Sequence, residues 1–511
     1  MTKQINNIPQ HKTTVSTPTT PDTGFAKIYS KSDGLWYGLD DAGNESLLGF
    51  SGVSVDGVTI TGNGTSGNPL IAASGAVNYS NVFFVDLING NDATGAINRF
   101  DKPYLTYSAA STAALALSPT STSPALVVLR KGTYTESNLL KPYVYVSCEP
   151  GVVFTSGGFY DDINTIETKV LGYPSFYYTT NNRMVLLRYT TKLYMEYDTL
   201  SATNVGIDVI SQNHIDDTNG VSDLTIVGNK FYHNCDQSFA IRTSGKGKLN
   251  FTCKTPIFCS YAMLYATSNS SNLALGRFTG SVTLNAPKIT MMNGGAFGNS
   301  NTRKTLIRIQ QADSIASVVI NSDLEDQTTL YVGGTHCIIS THYSSPLKVI
   351  INGEVTGNYA PVYLGGVYSW DYGSVIFNKN VSSKVRIAAV GYNSTGIFKN
   401  SKVSKVADSG YTTNSPFYVY GTGTLFLKNV DVENLEVSGS IIEATTSTSS
   451  VYADKVSAKA NNLSGFFITS TVSPIVGIST TTSNVGLDST ITNIITPSSF
   501  TVVSGMTLPL F

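Results

Sequence analysis

A five-residue pattern that keeps returning is the strongest constraint on what this chain can fold into. The segments "DLTIV", "KLNFT", "SVTLN", "SVVIN", "KVIIN" and "SVIFN" end at Val227, Thr252, Asn285, Asn321, Asn352 and Asn378. Successive ends are therefore 25, 33, 36, 31 and 26 residues apart. A solenoid produces this spacing, because each coil adds one strand to the same sheet while its loops vary in length. In the strong copies the two alternating hydrophobics, such as Val318 and Ile320, are expected to face inward. The Asn is expected to face outward, where identical residues on successive coils can bond along the axis as a ladder. "TLFLKN" at 424–429 and "SVYADKV" at 450–456 are weaker copies. At about 4.8 Å per coil and roughly 11 coils, the body would be about 50 to 55 Å long.

Composition agrees with a β architecture. Charged residues are only 13 % of the chain, about half the usual share, and Ser, Thr, Asn and Gly take their place. Helix surfaces draw on Glu, Lys, Arg and Ala, whereas Thr, Val, Tyr and Phe suit a pleated, half-buried surface. The 29 Tyr and 22 Phe fit the second case. Net charge is −1, from 33 basic and 34 acidic residues, and no Lys/Arg cluster in the sequence would track a phosphate backbone, so no nucleic-acid partner is expected.

The five Cys form no CxxC pair and the five His are not spaced as ligands, so neither a metal nor a cofactor is expected. The odd cysteine count favours buried thiols formed in a reducing compartment. The N-terminus lacks the apolar run of a secretory signal, and no window holds the ~18 apolar residues of a membrane span. Folding in the cytoplasm without membrane insertion is the expectation.

Residues 1–22 are polar, Thr/Pro-rich and aperiodic, which reads as a flexible tail. In "GFAKIYSKSDGLWYGLDDAGNESLLG", the turn signals at 32–34 and 41–43 predict successive hairpins. Further on, Val53, Val55, Val58 and Ile60 flank Asp56-Gly57 symmetrically, predicting a hairpin with all four on one face. So small a unit needs a partner to bury that face. These four residues are therefore expected to be an oligomer contact.

These stretches resemble known proteins. "SVDGVTITGNGTSGNPL" resembles a G-x-G-T-x-x-x-P-L motif of bacteriophage tail-fibre proteins, and "AKIYSKSDGLWYGLDDAGNESLL" resembles a segment found near the start of many phage fibres. "VFFVDLINGNDATGAINRFDKPYLTYSAASTAALAL", at 82–117, is similar to the entry of right-handed parallel β-helices of the pectate-lyase-like superfamily, with a short helix over 107–117 covering the first coil. "LVVLRKGTYTES" continues the likeness as far as Glu136.

The resemblance implies a tail fibre or tailspike-type virion protein. Its fold would be all-β, a right-handed parallel β-helix (solenoid) with a small N-terminal β stem and a C-terminal β cap. The divisions would be an attachment tail (1–22), a stem (23–80), the body (81–465) and a cap or oligomerisation segment (466–511). Implied partners are the chain itself as a homotrimer, other virion proteins through the N-terminus, and host surface glycan. The expected function is adsorption to a bacterial surface, by a protein assembled in the host cytoplasm and carried in the virion. Two alternatives stay open: a tailspike depolymerase that hydrolyses host polysaccharide, and a head or baseplate decoration without a receptor.

Hydrolysis of a glycan requires two carboxylates set on either side of the bond. Asp323 and Glu354 each follow a repeat Asn by two residues, on the same outward face of successive coils. Neither has an aromatic neighbour in register to raise a carboxyl pKa, so solvated surface charge is the favoured reading of the pair. Asp216-Asp217 and Glu325-Asp326 are adjacent acids, which a strand sends to opposite faces. His214 near Asp216 reads as a turn residue. Arg303 and Arg308 lack the acid cluster a lyase would need, and Asp86, Asn89, Asn91 and Asp92 lack EF-hand spacing. Sugar recognition has better material in aromatic faces and neutral hydrogen-bonding groups. The densest stretches are "GGVYSWDYGS", with Tyr368, Trp370 and Tyr372, and "YPSFYYTTNNR", with Tyr177 and Tyr178.

Overall fold

A computed structural model describes residues 13–14, 17–31, 36–47, 60–61 and 71–72, then 81–434 outside 163–166, 204–206, 213–221, 236–237, 261, 268–277, 293–304, 311–315, 328–336, 343–347, 358–361, 365–372, 384–386, 392 and 406–414. It further describes 441–460 except 447, and 466–470, 475–478, 485–487 and 493–496. The chain divides into two compact units, Met1–Asn78 and Tyr79–Phe511.

In the first unit the strands Thr13–Thr14, Lys27–Lys31, Trp36–Leu39 and Glu45–Leu47 form one sheet, parallel in its first pair and antiparallel in the other two. Turn chemistry closes the second hairpin where the sequence predicts it. Asp40 Oδ1 accepts from the N–H of Ala42 (3.0 Å) and Asn44 (2.7 Å), and Gly43 takes φ 81°, a left-handed value glycine adopts without strain. Glu45 binds back across the sheet to Lys31, Thr17 and Tyr29, and these hydrogen bonds, Lys31's first, hold its carboxyl down at about 2. Ile60–Thr61 pairs antiparallel with Ile71–Ala72. The predicted turn at 56–57 and the residues Val53, Val55 and Val58 lie outside the described residues, as does the side chain of Ile60.

The second unit begins with the strand Asn81–Val85, whose parallel partner is Ala125–Leu129. Between them "DLINGNDATG", at 86–95, makes a turn held by its Asp side chains. Asp86 accepts from Ile88 N and Asn89 N and pairs with Arg130 at 2.9 Å, while Asp92 Oδ1 accepts from Leu105 N and Thr106 N. Gly90 is pressed against the carbonyl oxygens of Tyr104 and Asp86, leaving no room for a Cβ. The helix Tyr107–Leu115 follows, capped by Thr106 and burying Tyr107, Ala110, Ser111 and Ala114. It stops two residues before the expected 117. Ser118 takes φ 51°, and Pro119 beyond it disfavours helix in the residue it follows. The acid singled out at Glu136 serves this helix, its Oε1 accepting from Tyr107 N at 2.9 Å.

Among the described residues of the second unit, the strands form two long parallel sheets, one of 14 strands and one of 22 that includes Asn81–Val85. This pairing is compatible with a β-helix. Every repeat copy stacks on the next in register: Val227 on Thr252, Thr252 on Asn285, Asn285 on Asn321, Ile320 on Ile351 and Ile351 on Phe377. The inward pairs, such as Leu284 with Val282 and Ile320 with Val318, are fully buried. Each such side chain is worth about 1.5–3 kcal/mol of hydrophobic burial, so stability accrues rung by rung.

On the outside, Asn285 Nδ2 donates to Thr252 Oγ1 (3.2 Å), Asn321 to Asn285 (2.8 Å), Asn352 to Asn321 (2.7 Å) and Asn378 to Asn352 (2.8 Å). That is the expected ladder. Aromatic stacking runs the same way inside, with Phe154 on Phe176 at 5.0 Å and Phe377 on Phe398 at 4.7 Å. Cys148, Cys235, Cys253 and Cys259 are buried thiols, and burial pushes Cys148 and Cys259 well above the usual thiol range. Parallel pairing continues through the C-terminal segment, where Phe466–Ser470 pairs with Asn493–Thr496 and Ser450–Ala460 pairs with Ile475–Ile478 and Val485–Leu487. Among the described residues no helix is long and apolar enough to cross a membrane.

Candidate functional site

The segment 173–183 supplies the best-placed groups for recognition. Its strand Ser175–Tyr178 alternates strictly, so Phe176 and Tyr178 enter the core and Tyr177 stands 45 % exposed. The expectation that both tyrosines meet a ligand is corrected here. Tyr178 is 1 % exposed, its hydroxyl donates to Gly157 O at 2.6 Å, and burial pushes its pKa well above the usual phenol value. Tyr368, Trp370 and Tyr372 lie outside the described residues.

Register makes Tyr177 the first member of a row. It pairs with Ser201, Ser201 with Tyr232, and Tyr232 with Phe258. Tyr232 and Phe258 are each 38 % exposed. At one rung per step, Tyr177 and Tyr232 lie about 10 Å apart and Tyr232 and Phe258 about 5 Å apart. The row then turns polar: Phe258 pairs with Thr290 and Thr290 with Glu325, which takes Lys288 in a 2.8 Å ion pair. Burial raises the Glu325 pKa, but the hydrogen bond and charge of Lys288 outweigh it and leave the carboxyl below its ordinary value.

Exposed aromatic faces with the Ser201 hydroxyl between them and the Lys288–Glu325 pair beyond one end suit a sugar ring, which offers apolar C–H faces and a polar rim. Tyr232 and Phe258 were missed in the sequence. The alternation in "KFYHN" and "PIFCS" was the available signal, since Phe231, Ile257 and Cys259 are buried and their neighbours must face out.

Past Tyr178 the chain rounds a corner into the strand Val185–Leu187 and walls a depression of about 370 Å³. Asn181, Asn182, Arg183, Arg188, Ser137 and Tyr160 line it. Asn182 also accepts from Gly157 N at 3.0 Å, which fixes the corner.

The carboxylates form a different kind of feature. Leu324 pairs with Val355, so Asp323 and Glu354 occupy adjoining rungs, and both are exposed. Asp323 Oδ1 accepts from Glu354 N (2.8 Å), Glu354 Oε1 from Asn380 Nδ2 (3.1 Å), and Asn380 Oδ1 from Lys402 N (2.9 Å). The pair belongs to a second hydrogen-bonded ladder along one edge of the coils. Of the acid doublet, Asp326 is buried and Glu325 faces out, as strand alternation requires. Arg308 lies 5.6 Å from the Tyr265 ring centre. Asp216, Asp217, His214 and Arg303 lie outside the described residues. Among the described residues no group of three His, Cys, Asp or Glu is placed to hold a metal ion.

Comparison with known proteins returns no matching family model, no matching curated protein and no matching solved structure. What fold and site define is a β protein of long parallel sheets with an exposed aromatic row on one face.

Proposed function

We propose that this chain is a bacteriophage fibre or spike protein that attaches the particle to a bacterial surface by binding glycan. In this reading the second unit is a right-handed parallel β-helix, and three chains assemble through the N-terminal region and along their bodies. The carrying observation is the row Tyr177, Tyr232 and Phe258, exposed at 45, 38 and 38 % on a rigid sheet. Large aromatics left open at rung spacing cost hydrophobic free energy unless something covers them, and a saccharide chain covers such a row without requiring the protein to move. The two fibre-like motifs of the N-terminal 80 residues support the virion assignment, and the in-register repeat supports the β-helix.

The decisive experiment is adsorption. Purified protein should bind host cells and block infection by the phage that carries it, while a Tyr177→Ala/Tyr232→Ala variant of unchanged thermal stability should lose at least tenfold in cell binding. Undiminished binding by that variant would remove the aromatic row from the reading. Reducing ends released from host polysaccharide would make the protein a depolymerase. Particles labelled by electron microscopy away from any host-facing structure would favour a decoration.

A further inference from the structure

Four arginines scattered over the sequence meet on the outward side of the 14-stranded sheet. Leu186 pairs with Ser211, Ser211 with Arg242, Arg242 with Tyr265 and Tyr265 with Arg308, so these residues form one continuous row. Arg183 and Arg188 bracket the strand Val185–Leu187 at the head of that row, and both line the 370 Å³ depression. Further along, the guanidinium carbons of Arg242 and Arg308 each lie 5.6 Å from the Tyr265 ring centre, and Phe239 stacks on the same ring at 4.3 Å.

Among the described residues, Asp208 and Asp161 are the acids beside Arg183, Arg188 and Arg242. Asp208 faces the group, with Oδ2 3.7 Å from Arg242 Nη1. Asp161 is buried, and its two oxygens are engaged by the N–H groups of Arg188 and Tyr189 and the hydroxyl of Thr191. Arg183 Nε and Arg242 Nε are both buried without a hydrogen-bond partner. Burial lowers the Arg183 pKa; Asp208 opposes the shift, and the charges of Arg188 and Arg242 add to it. Cations gathered at a partly buried corner with unmet donors are stabilised when an anion enters.

We infer that this face is a track for an acidic polysaccharide: Arg183 and Arg188 take one sugar carboxylate in the depression, and Arg242, Tyr265 and Arg308 receive the next repeat. The inference rests on the glycan-binding reading and names the class of glycan. Arg242 and Arg308 stand two rungs apart, about 10 Å, close to the length of a disaccharide. The planar fork of arginine matches a carboxylate in bidentate fashion, and Asn181, Asn182 and Ser137 supply neutral partners for sugar hydroxyls. A nucleic-acid strand fits less well, because four arginines interrupted by Asp208 on a chain of net charge −1 do not make a continuous phosphate track.

The test uses the full chain, an array of purified capsular polysaccharides with and without uronic acid at matched length, and single-stranded DNA. Uronate-containing polymers should bind, the binding should fall at least tenfold between low and 0.5 M salt, and free glucuronate should compete. Arg183→Gln/Arg188→Gln, with thermal unfolding as a check on folding, should lose at least tenfold for the acidic polymers while keeping any neutral glycan held by Tyr177 and Tyr232. Should that variant fail to fold, salt dependence and glucuronate competition on the unaltered protein decide the matter. Equal affinity for neutral and acidic polymers would overturn the acidic track and leave the glycan reading standing. Binding of no polysaccharide at all would overturn both. DNA binding equal to that of the uronan would overturn the assignment to saccharide.

Discussion

Asn352 Nδ2 donates to Asn321 Oδ1 at 2.7 Å, and Asn321 in turn donates to Asn285 at 2.8 Å, although 31 and 36 residues of chain separate the neighbours. Asn321 therefore ties two rungs together at once. Asn321→Ala should cost about 1–2 kcal/mol, since two exposed amide hydrogen bonds are lost and water recovers part of each. Hydrogen exchange should report it locally, with faster exchange in Ser317–Asp326 and its two neighbouring rungs. Unchanged protection there would show that inward packing alone sets the register.

Gly228 lies in register with Tyr197, whose buried ring fills the space a Cβ would need. Gly228→Ala should overpack this rung and destabilise the protein by about 1–3 kcal/mol. Adding Tyr197→Leu should return part of that loss, because the smaller side chain vacates the contact. Denaturant midpoints of the single and double variants would measure the coupling, and strict additivity would count against the contact.

His233 sits fully buried on the strand Asp223–Asn234, with Nε2 3.4 Å from Ser238 Oγ and Nδ1 unpartnered. Burial lowers its pKa to about 4. An unfolded chain takes up this proton near pH 6.5 and the folded chain only near 4, so between those values the unfolded state binds more protons. Its contribution is whole above pH 6.5, declines as pH falls, and levels off below about 4, a loss of roughly 3 kcal/mol. His233→Gln should narrow the stability difference between pH 7 and pH 4.5, read by urea unfolding at both. An identical pH dependence in the variant would exclude His233 as its source.

Glu136 accepts from Tyr107 N at 2.9 Å, at the start of the helix that covers the first strands. Burial raises the Glu136 pKa, partly offset by the hydrogen bonds from Tyr107 and Ser108. Glu136→Ala should cost about 1–3 kcal/mol by leaving buried N–H groups unmet, and Glu136→Gln should cost less because an acceptor oxygen remains. Thermal unfolding of the two variants would rank them, and equal losses would point to the charge rather than the hydrogen bond.

The repeat and its inward face were legible because strand alternation is local: whatever pairs with "SVVIN", Val318 and Ile320 share one side of it. The Asn ladder was legible for the same reason, since identical residues at one position of each copy must stack once the copies do. Tyr178 was misjudged because aromatic density says nothing about phase. The end of the helix, at Leu115 rather than 117, turned on Ser118 and Pro119.

By itself the sequence determined that this chain is built of β repeats, which side of each repeat is apolar, and where the turn at 41–43 lies. Those properties follow from steric and solvation preferences of a few neighbouring residues. Only the tertiary structure decided which loops share a corner and which rungs adjoin. Tyr177, Ser201, Tyr232 and Phe258 fall in one row, and Arg242, Tyr265 and Arg308 in another, through strand register across loops of unequal length. No local window contains that register; it is set by the packing of the whole stack.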